Sequence, residues 1–225
     1  RVTSQISQRL KKKKKNTTEQ SEEYLRLPAV SGFDTNYLRQ DDWENLISCH
    51  EGSNVARLWV VKNMAISKKS LYAPINQFGT ISSLCLSTCG NMAIIGRSKG
   101  FVEKWNVQSG QLKGYFTEYV PTGDKDIVTK RVGHQGAVNG VVVDNTNAKV
   151  VTGGYDSVLK IWDLKSGKLL NQFALGASIT KIVKSKVSNL IAVSTDNFEI
   201  FIYDLNTDIL IRNHQKHEHP INDMT

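Results

Sequence analysis

HQGAVNGVVVDNTNAKVVTGGYDSVLKIWD, residues 134–163, is the stretch that decides the fold. It contains three short apolar runs, 138–143, 149–152 and 158–162. Asp144, Asn145, Thr146 and Asn147 punctuate the first gap, and Gly153, Gly154, Tyr155 and Asp156 the second. Short runs rich in β-branched residues and separated by turn chemistry predict a small antiparallel sheet. The opening His134 and the closing Trp162-Asp163 carry a further signal, taken up below.

Working outward from this stretch, the pattern repeats. Ile161-Trp162-Asp163-Leu164 aligns with Lys104-Trp105-Asn106-Val107, with Ile202-Tyr203-Asp204-Leu205 and with Leu58-Trp59-Val60-Val61. The Ser-Gly turn that follows recurs at Ser109-Gly110 and Ser166-Gly167. Upstream, Val138-Asn139 matches Ile81-Ser82, Ile179-Thr180 and Ile221-Asn222. The aromatic marks lie 57 and then 41 residues apart. The excess is an insertion between Tyr115 and Arg131 that holds Glu118, Asp124 and Asp126. Each unit supplies three strands and a fourth after its turn, at about the forty-residue period of a propeller blade. The expected class is all-β, a partial β-propeller of residues 28–225. Full four-stranded blades are predicted at about 81–116, 138–173 and 179–212, with partial blades on either side. An apolar period of 2 rather than 3.6 excludes a helical solenoid. Propellers close with about four to eight blades, so an open arc is expected to need covering by further chain or by partners.

Residues 1–27 differ in kind. They are polar, with Lys11, Lys12, Lys13, Lys14 and Lys15 in an unbroken row, and are predicted to be a flexible basic linker. Residues 1–40 hold 9 basic and 4 acidic side chains against 20 and 17 in the remainder, so +5 of the net +8 lies there. Attraction to RNA is therefore expected mainly from this segment. The lysine run and the insertion acids Glu118, Asp124 and Asp126 are the candidate RNA or partner contacts. No apolar run approaches the roughly 20 residues of a membrane span. Cys49, Cys85 and Cys89 are an odd set, which favours a reducing compartment over a disulfide framework. Cys85 and Cys89 have no second ligand pair nearby, and His214, His217 and His219 have no matching Cys or carboxylate set. No metal, cofactor, small-molecule substrate or membrane partner is expected.

These residues resemble the WD-repeat (WD40) family, which places a Gly-His before its first strand and a Trp-Asp at the end of its third. The central unit matches best, with Gly133-His134, Thr152, Asp156 and Trp162-Asp163. The resemblance implies a buried hydrogen-bonded chain of His134, Thr152, Asp156 and Trp162. Such a set satisfies its own polar groups. Asp, His and Thr could also be arranged for nucleophilic catalysis, but Thr152 lies in an apolar run and lacks the setting a nucleophile needs. A brace and no enzyme is the expectation. In the other units the turn-Asp position holds Lys99, Asn197 or Ser53. The strand hydroxyl is replaced by Ile95, Val193 or Cys49. Those blades are therefore expected to rely on apolar packing.

Within WD-repeat proteins the run 42–50 (DWENLISCH), the run 88–96 (TCGNMAIIG), 106–110 (NVQSG) and 134–138 (HQGAV) are similar to a tandem-propeller family of small-subunit processome proteins. That resemblance implies part of a second propeller and a non-catalytic scaffold in the nucleus and nucleolus. It implies support for pre-18S rRNA processing, with other WD-repeat subunits, the U3 small nucleolar ribonucleoprotein and pre-rRNA as partners. The alternative is a generic WD-repeat adaptor, such as a ubiquitin-ligase substrate receptor or a signalling scaffold.

Overall fold

The structure is a computed structural model that describes residues 27–72, 78–121, 128–130, 132–215, 217–221 and 224. Four antiparallel sheets of four strands follow one another along the chain, each in simple meander order. The first blade is β1 (Val30–Thr35), β2 (Leu46–His50), β3 (Val55–Val60) and β4 (Ala65–Tyr72). The second is β5 (Ile81–Leu86), β6 (Met92–Arg97), β7 (Val102–Asn106) and β8 (Gln111–Tyr115). A short hairpin, β9 (Tyr119–Pro121) with β10 (Val128–Lys130), rises from the insertion before the third. The third blade is β11 (Val138–Val143), β12 (Lys149–Gly154), β13 (Val158–Asp163) and β14 (Leu169–Ala174). The fourth is β15 (Ile179–Lys184), β16 (Leu190–Thr195), β17 (Ile200–Asp204) and β18 (Ile209–His214).

The all-β propeller architecture is as the repeat predicts, with one correction. The first blade is complete, where the spacing predicts a partial one. β1 pairs with β2 from Val30↔His50 to Thr35↔Leu46. The loop between them, residues 36–45, is about twice as long as its counterparts at 87–91, 144–148 and 185–189. That length hid the strand from a search for a fixed interval. The loop is built rather than loose. Asn36 Nδ2 donates to Ser87 O and Thr88 O at 2.9 Å, and Arg39 Nε to Cys89 O at 3.1 Å. Trp43 Nε1 donates to Gly90 O at 3.3 Å, with the Arg39 guanidinium stacked 4.8 Å above its ring.

The core lies between sheets, because each strand alternates its side chains toward the two neighbouring blades. Leu58, Leu71, Ala93, Ile95 and Trp105 fill the first interface. Ile94, Val102, Phe116, Val150 and Trp162 fill the second, and Leu159, Ile161, Ile179, Val193 and Tyr203 the third. The last apolar residue of one blade meets the aromatic of the next, Phe116 on Trp162 at 6.0 Å and Phe173 on Tyr203 at 5.1 Å.

A set of polar links donated forward along the chain also runs blade to blade. Ser82 Oγ donates to Val138 O at 2.7 Å, and Asn139 Nδ2 to Ile179 O at 2.8 Å. Farther out, Lys69 Nζ donates to Gln108 O at 2.7 Å, Lys104 Nζ to Leu164 O at 2.9 Å and Lys149 Nζ to Leu205 O at 2.7 Å. The three lysines come from three different strand positions, yet each ties down the turn before the next blade's outer strand. These ammonium–carbonyl links fix the angle between sheets, which apolar packing leaves less specified.

Candidate functional site

The third blade brings together the four residues singled out by its sequence. Trp162 Nε1 donates to Thr152 Oγ1 at 2.8 Å. The hydroxyl donates its own hydrogen onward to His134 Nε2, 2.7 Å away, because the Asp156 carboxylate can only accept and so fixes the imidazole hydrogen on Nδ1. His134 Nδ1 is thus the donor to Asp156 Oδ1 at 2.9 Å. Asp156 also accepts the Gln135 and Val158 backbone N–H groups at 2.9 and 3.3 Å. Every hydrogen in this chain points from the indole toward the carboxylate. Gly154 makes room for it, since a Cβ there would lie 2.9 Å from both His134 Nδ1 and Asp156 Oδ1. Gly100, at φ +83°, does the same from the neighbouring blade, where a side chain would overlap the His134 carbonyl. Thr152 and Trp162 are fully buried. With both partners of its hydroxyl occupied, Thr152 offers no approach to a substrate.

The other blades do not fall back on apolar packing alone, which corrects the expectation for two of them. In the first blade Leu46 pairs with Trp59, as Val150 pairs with Trp162, so the hydroxyl position two residues on is Ser48. Cys49 is one residue out of register, and a one-residue step sends a strand side chain to the opposite face. Trp59 Nε1 donates to Ser48 Oγ at 2.7 Å, Ser48 meets His50 Nε2 at 3.2 Å, and His50 Nδ1 donates to Pro28 O at 2.8 Å. The imidazole here comes from the strand position that Gly154 occupies in the third blade. The same relay is thus built with its histidine supplied from a different place in the chain.

The second blade solves the problem with charge. Trp105 Nε1 donates to Glu103 Oε2 at 2.9 Å. Arg97 clasps that carboxylate through Nε at 3.1 Å and Nη2 at 2.9 Å. Arg97 and Glu103 are both fully buried. The remaining Arg97 nitrogen reaches back to Asn54 O at 2.8 Å and Gly79 O at 3.3 Å, crossing into the first blade. In the fourth blade Tyr203 replaces the tryptophan, and Thr195 closes its own turn by hydrogen bonding with Asn197 and with Glu199 O. A glutamate two residues before the aromatic and an arginine ending the second strand are the sequence signals that could have disclosed the ion pair.

Two half-buried aspartates titrate in opposite senses. Burial pushes Asp156 upward, but the His134 hydrogen bond and the Gln135 and Val158 N–H groups outweigh it and hold the carboxyl below its usual range. At Asp34 burial wins over the Leu86 and Thr35 N–H groups and the Lys184 charge, so its pKa is raised. A depressed carboxylate adds stability above its unfolded pKa, about 3.9, and loses it as pH falls through the folded value. A raised one does the reverse, since protonation relieves the buried charge. The cost of Asp156→Asn should therefore shrink as the solution is acidified, and the cost of Asp34→Asn should grow. Denaturant midpoints of parent and variants across acid pH check this. Parallel slopes would refute it.

Of the candidate contact residues, Glu118 is committed to the blade: Lys160 Nζ donates to it at 2.8 Å and to Gly133 O at 2.8 Å. Lys11, Lys12, Lys13, Lys14, Lys15, Asp124 and Asp126 lie outside the described residues. Among the described residues no group of three or more His, Cys, Asp or Glu side chains is placed to hold a metal ion. No described helix is long and apolar enough to cross a membrane.

Successive four-stranded meanders, each with an aromatic near the end of its third strand, one carrying the whole His–Thr–Trp–Asp relay, define a WD-repeat β-propeller. The family described as the WDR36/Utp21 second beta-propeller domain matches residues 2–225, and the chain belongs to it. It is 32% identical over 190 residues to the U3 small nucleolar RNA-associated protein 21 homolog of Schizosaccharomyces pombe, covering 84% of this chain and 20% of that protein. It is 30% identical over 216 residues to human WD repeat-containing protein 36, covering 95% of this chain and 23% of that protein. The chain thus spans about a fifth of the length of these relatives. A chain in a crystal structure of the mitotic checkpoint complex matches with a TM-score of 0.64 at 16% identity, over 84% of this chain and 54% of the other, a likeness of fold alone.

Proposed function

We propose that this chain is part of a non-catalytic scaffold in the small-subunit processome, working in the nucleus and nucleolus to support pre-18S rRNA processing. The observation that carries the reading is the family match over nearly the whole chain, together with a relative named for association with U3 small nucleolar RNA. The geometry supports it. The polar side chains described above are spent on holding blades together, which leaves rims and loops to meet partners. The partners are other WD-repeat subunits and the U3 ribonucleoprotein with its pre-rRNA. The basic segment supplies the contact to RNA through Lys11–Lys15, and Asp124 and Asp126 contact a protein partner.

The test is recovery of the tagged full-length protein from cells, with U3 RNA and 18S precursors measured by hybridisation. U3 RNA is expected in the purified fraction, and depletion of the protein is expected to cause unprocessed 18S precursors to accumulate. Recovery with a ubiquitin ligase, without U3 RNA and with normal processing, would overturn the proposal in favour of an adaptor. Replacing Lys11–Lys15 by glutamine should weaken U3 recovery at low salt and make what remains fall less steeply as salt rises, because fewer phosphates are neutralised. Unchanged recovery would remove the lysine run from the scheme.

A further inference from the structure

The outer strands of the second, third and fourth blades each carry a bulge opposite the third strand, and the residues around it are set out identically. Trp105 pairs with Leu112, Trp162 with Leu169 and Tyr203 with Leu210, and the extra residue that follows is Lys113, Leu170 or Ile211. The residue before is Gln111, Lys168 or Ile209. Edge strands expose unpaired backbone groups, and proteins guard them with charge. The second blade guards this place with Gln111 and Lys113, and the third with Lys168. The fourth has Ile209, Leu210 and Ile211 in a row, exposed by 59%, 42% and 56%.

A further blade would not cover them all. Leu170, the counterpart of Ile211, is 52% exposed with its following blade in place, and Gln111, Lys113 and Lys168 are exposed in the same situation. Leu112 and Leu169 pack against the core between their blades, whereas Leu210 is absent from the corresponding cluster. Beyond the bulge, Arg212, Asn213 and His214 pair regularly with Ile202, Phe201 and Ile200, so the outer side of these residues offers a straight run of backbone groups. Arg212 is exposed, no acidic residue lies in β18, and Asp208 at its start is already bound to Lys149 Nζ at 2.8 Å.

We propose that β18 is the docking edge for an extended segment of a partner protein. That segment lays aliphatic side chains on 209–211, runs its backbone along 212–214 as a fifth strand, and places a carboxylate against Arg212. Main-chain pairing with side-chain pockets is the general mode of strand addition. RNA fits poorly, since its backbone cannot complete a peptide ladder and this edge carries a single arginine. The inference holds whichever assembly the protein joins.

The test compares amide hydrogen exchange in the full-length protein free and within the complex purified from cells. The outward amides of 212–214 are expected to exchange at least about tenfold more slowly in the complex, while β8 and β14 change little. The Ile209→Lys/Ile211→Lys variant should keep its unfolding midpoint, because Lys168 and Lys113 occupy the same places in other blades. Its recovery in the complex should fall about tenfold, the loss of one apolar anchor site. Equal exchange in both states, or undiminished recovery of the variant, overturns the proposal. So does protection that appears in the concentrated free protein, which would make the occupant a second copy. A photo-crosslink from position 211 to RNA would overturn it too.

Discussion

Glu103→Ala is expected to open the second blade at a cost of about 3–5 kcal/mol, the range for removing one partner of a buried ion pair. The carboxylate is the sole acceptor shared by Arg97 and the Trp105 indole. Without it, a fully buried guanidinium keeps only the Asn54 and Gly79 carbonyls, which carry no full charge to balance it. Native-state hydrogen exchange reads the opening free energy of β6 and β7 directly, independent of the rest of the protein. Protection should fall in β2 and β3 as well, because Arg97 holds the first blade's turn at Asn54. The pair Arg97→Met/Glu103→Leu tests the cause. Removing both charges takes away the uncompensated cation, so the double variant should be more stable than Glu103→Ala alone. It should still fall short of the parent, since the Trp105 N–H and two carbonyls lose partners at about 1–3 kcal/mol each. A double variant as unstable as the single one would show that packing, not charge, sets the cost.

The same residues show how far the sequence could be read. The fold was legible because Trp59, Trp105, Trp162 and Tyr203 recur at matching strand ends, two of them before the same Ser-Gly turn, and a repeat exposes an architecture that no single strand does. The relay in the third blade was legible for the same reason, since all its members stand at the family's positions. What escaped was substitution by a different chemistry. Arg97 and Glu103 look like ordinary polar ends of two strands until the register places both beside an indole. Ser48 and His50 were hidden by one residue of register, which only strand pairing resolves. The first strand, β1, was hidden by loop length, and the lysine links by donors that come from a different strand in each blade. The three braces meet one demand, a partner for the tryptophan N–H near the end of the third strand, and sequence comparison finds just the version that uses familiar residues.

The second large effect is expected at Thr152. Valine keeps its shape but removes the hydroxyl that accepts from Trp162 and donates to His134. Two buried groups then lack partners, for a loss of about 2–6 kcal/mol if each costs its full desolvation. Hydrogen exchange of β12 and β13 should show it, and Thr152→Ser, which restores the hydroxyl, should recover most of the protection. The first blade supplies a sharper test of the same idea. There His50 reaches the hydroxyl from the strand position that Gly154 holds in the third blade. His134→Ala should therefore destabilise the third blade by taking the acceptor from the Thr152 hydroxyl and a donor from Asp156, and adding Gly154→His should restore part of the loss. The second change is damaging in the parent, where a Cβ at 154 meets the His134 ring at 2.9 Å. A substitution harmful alone and helpful beside His134→Ala is the signature of one imidazole site that either chain position can fill. Additive losses would mean that the two histidines, alike in their partners, are held by surroundings that cannot be exchanged.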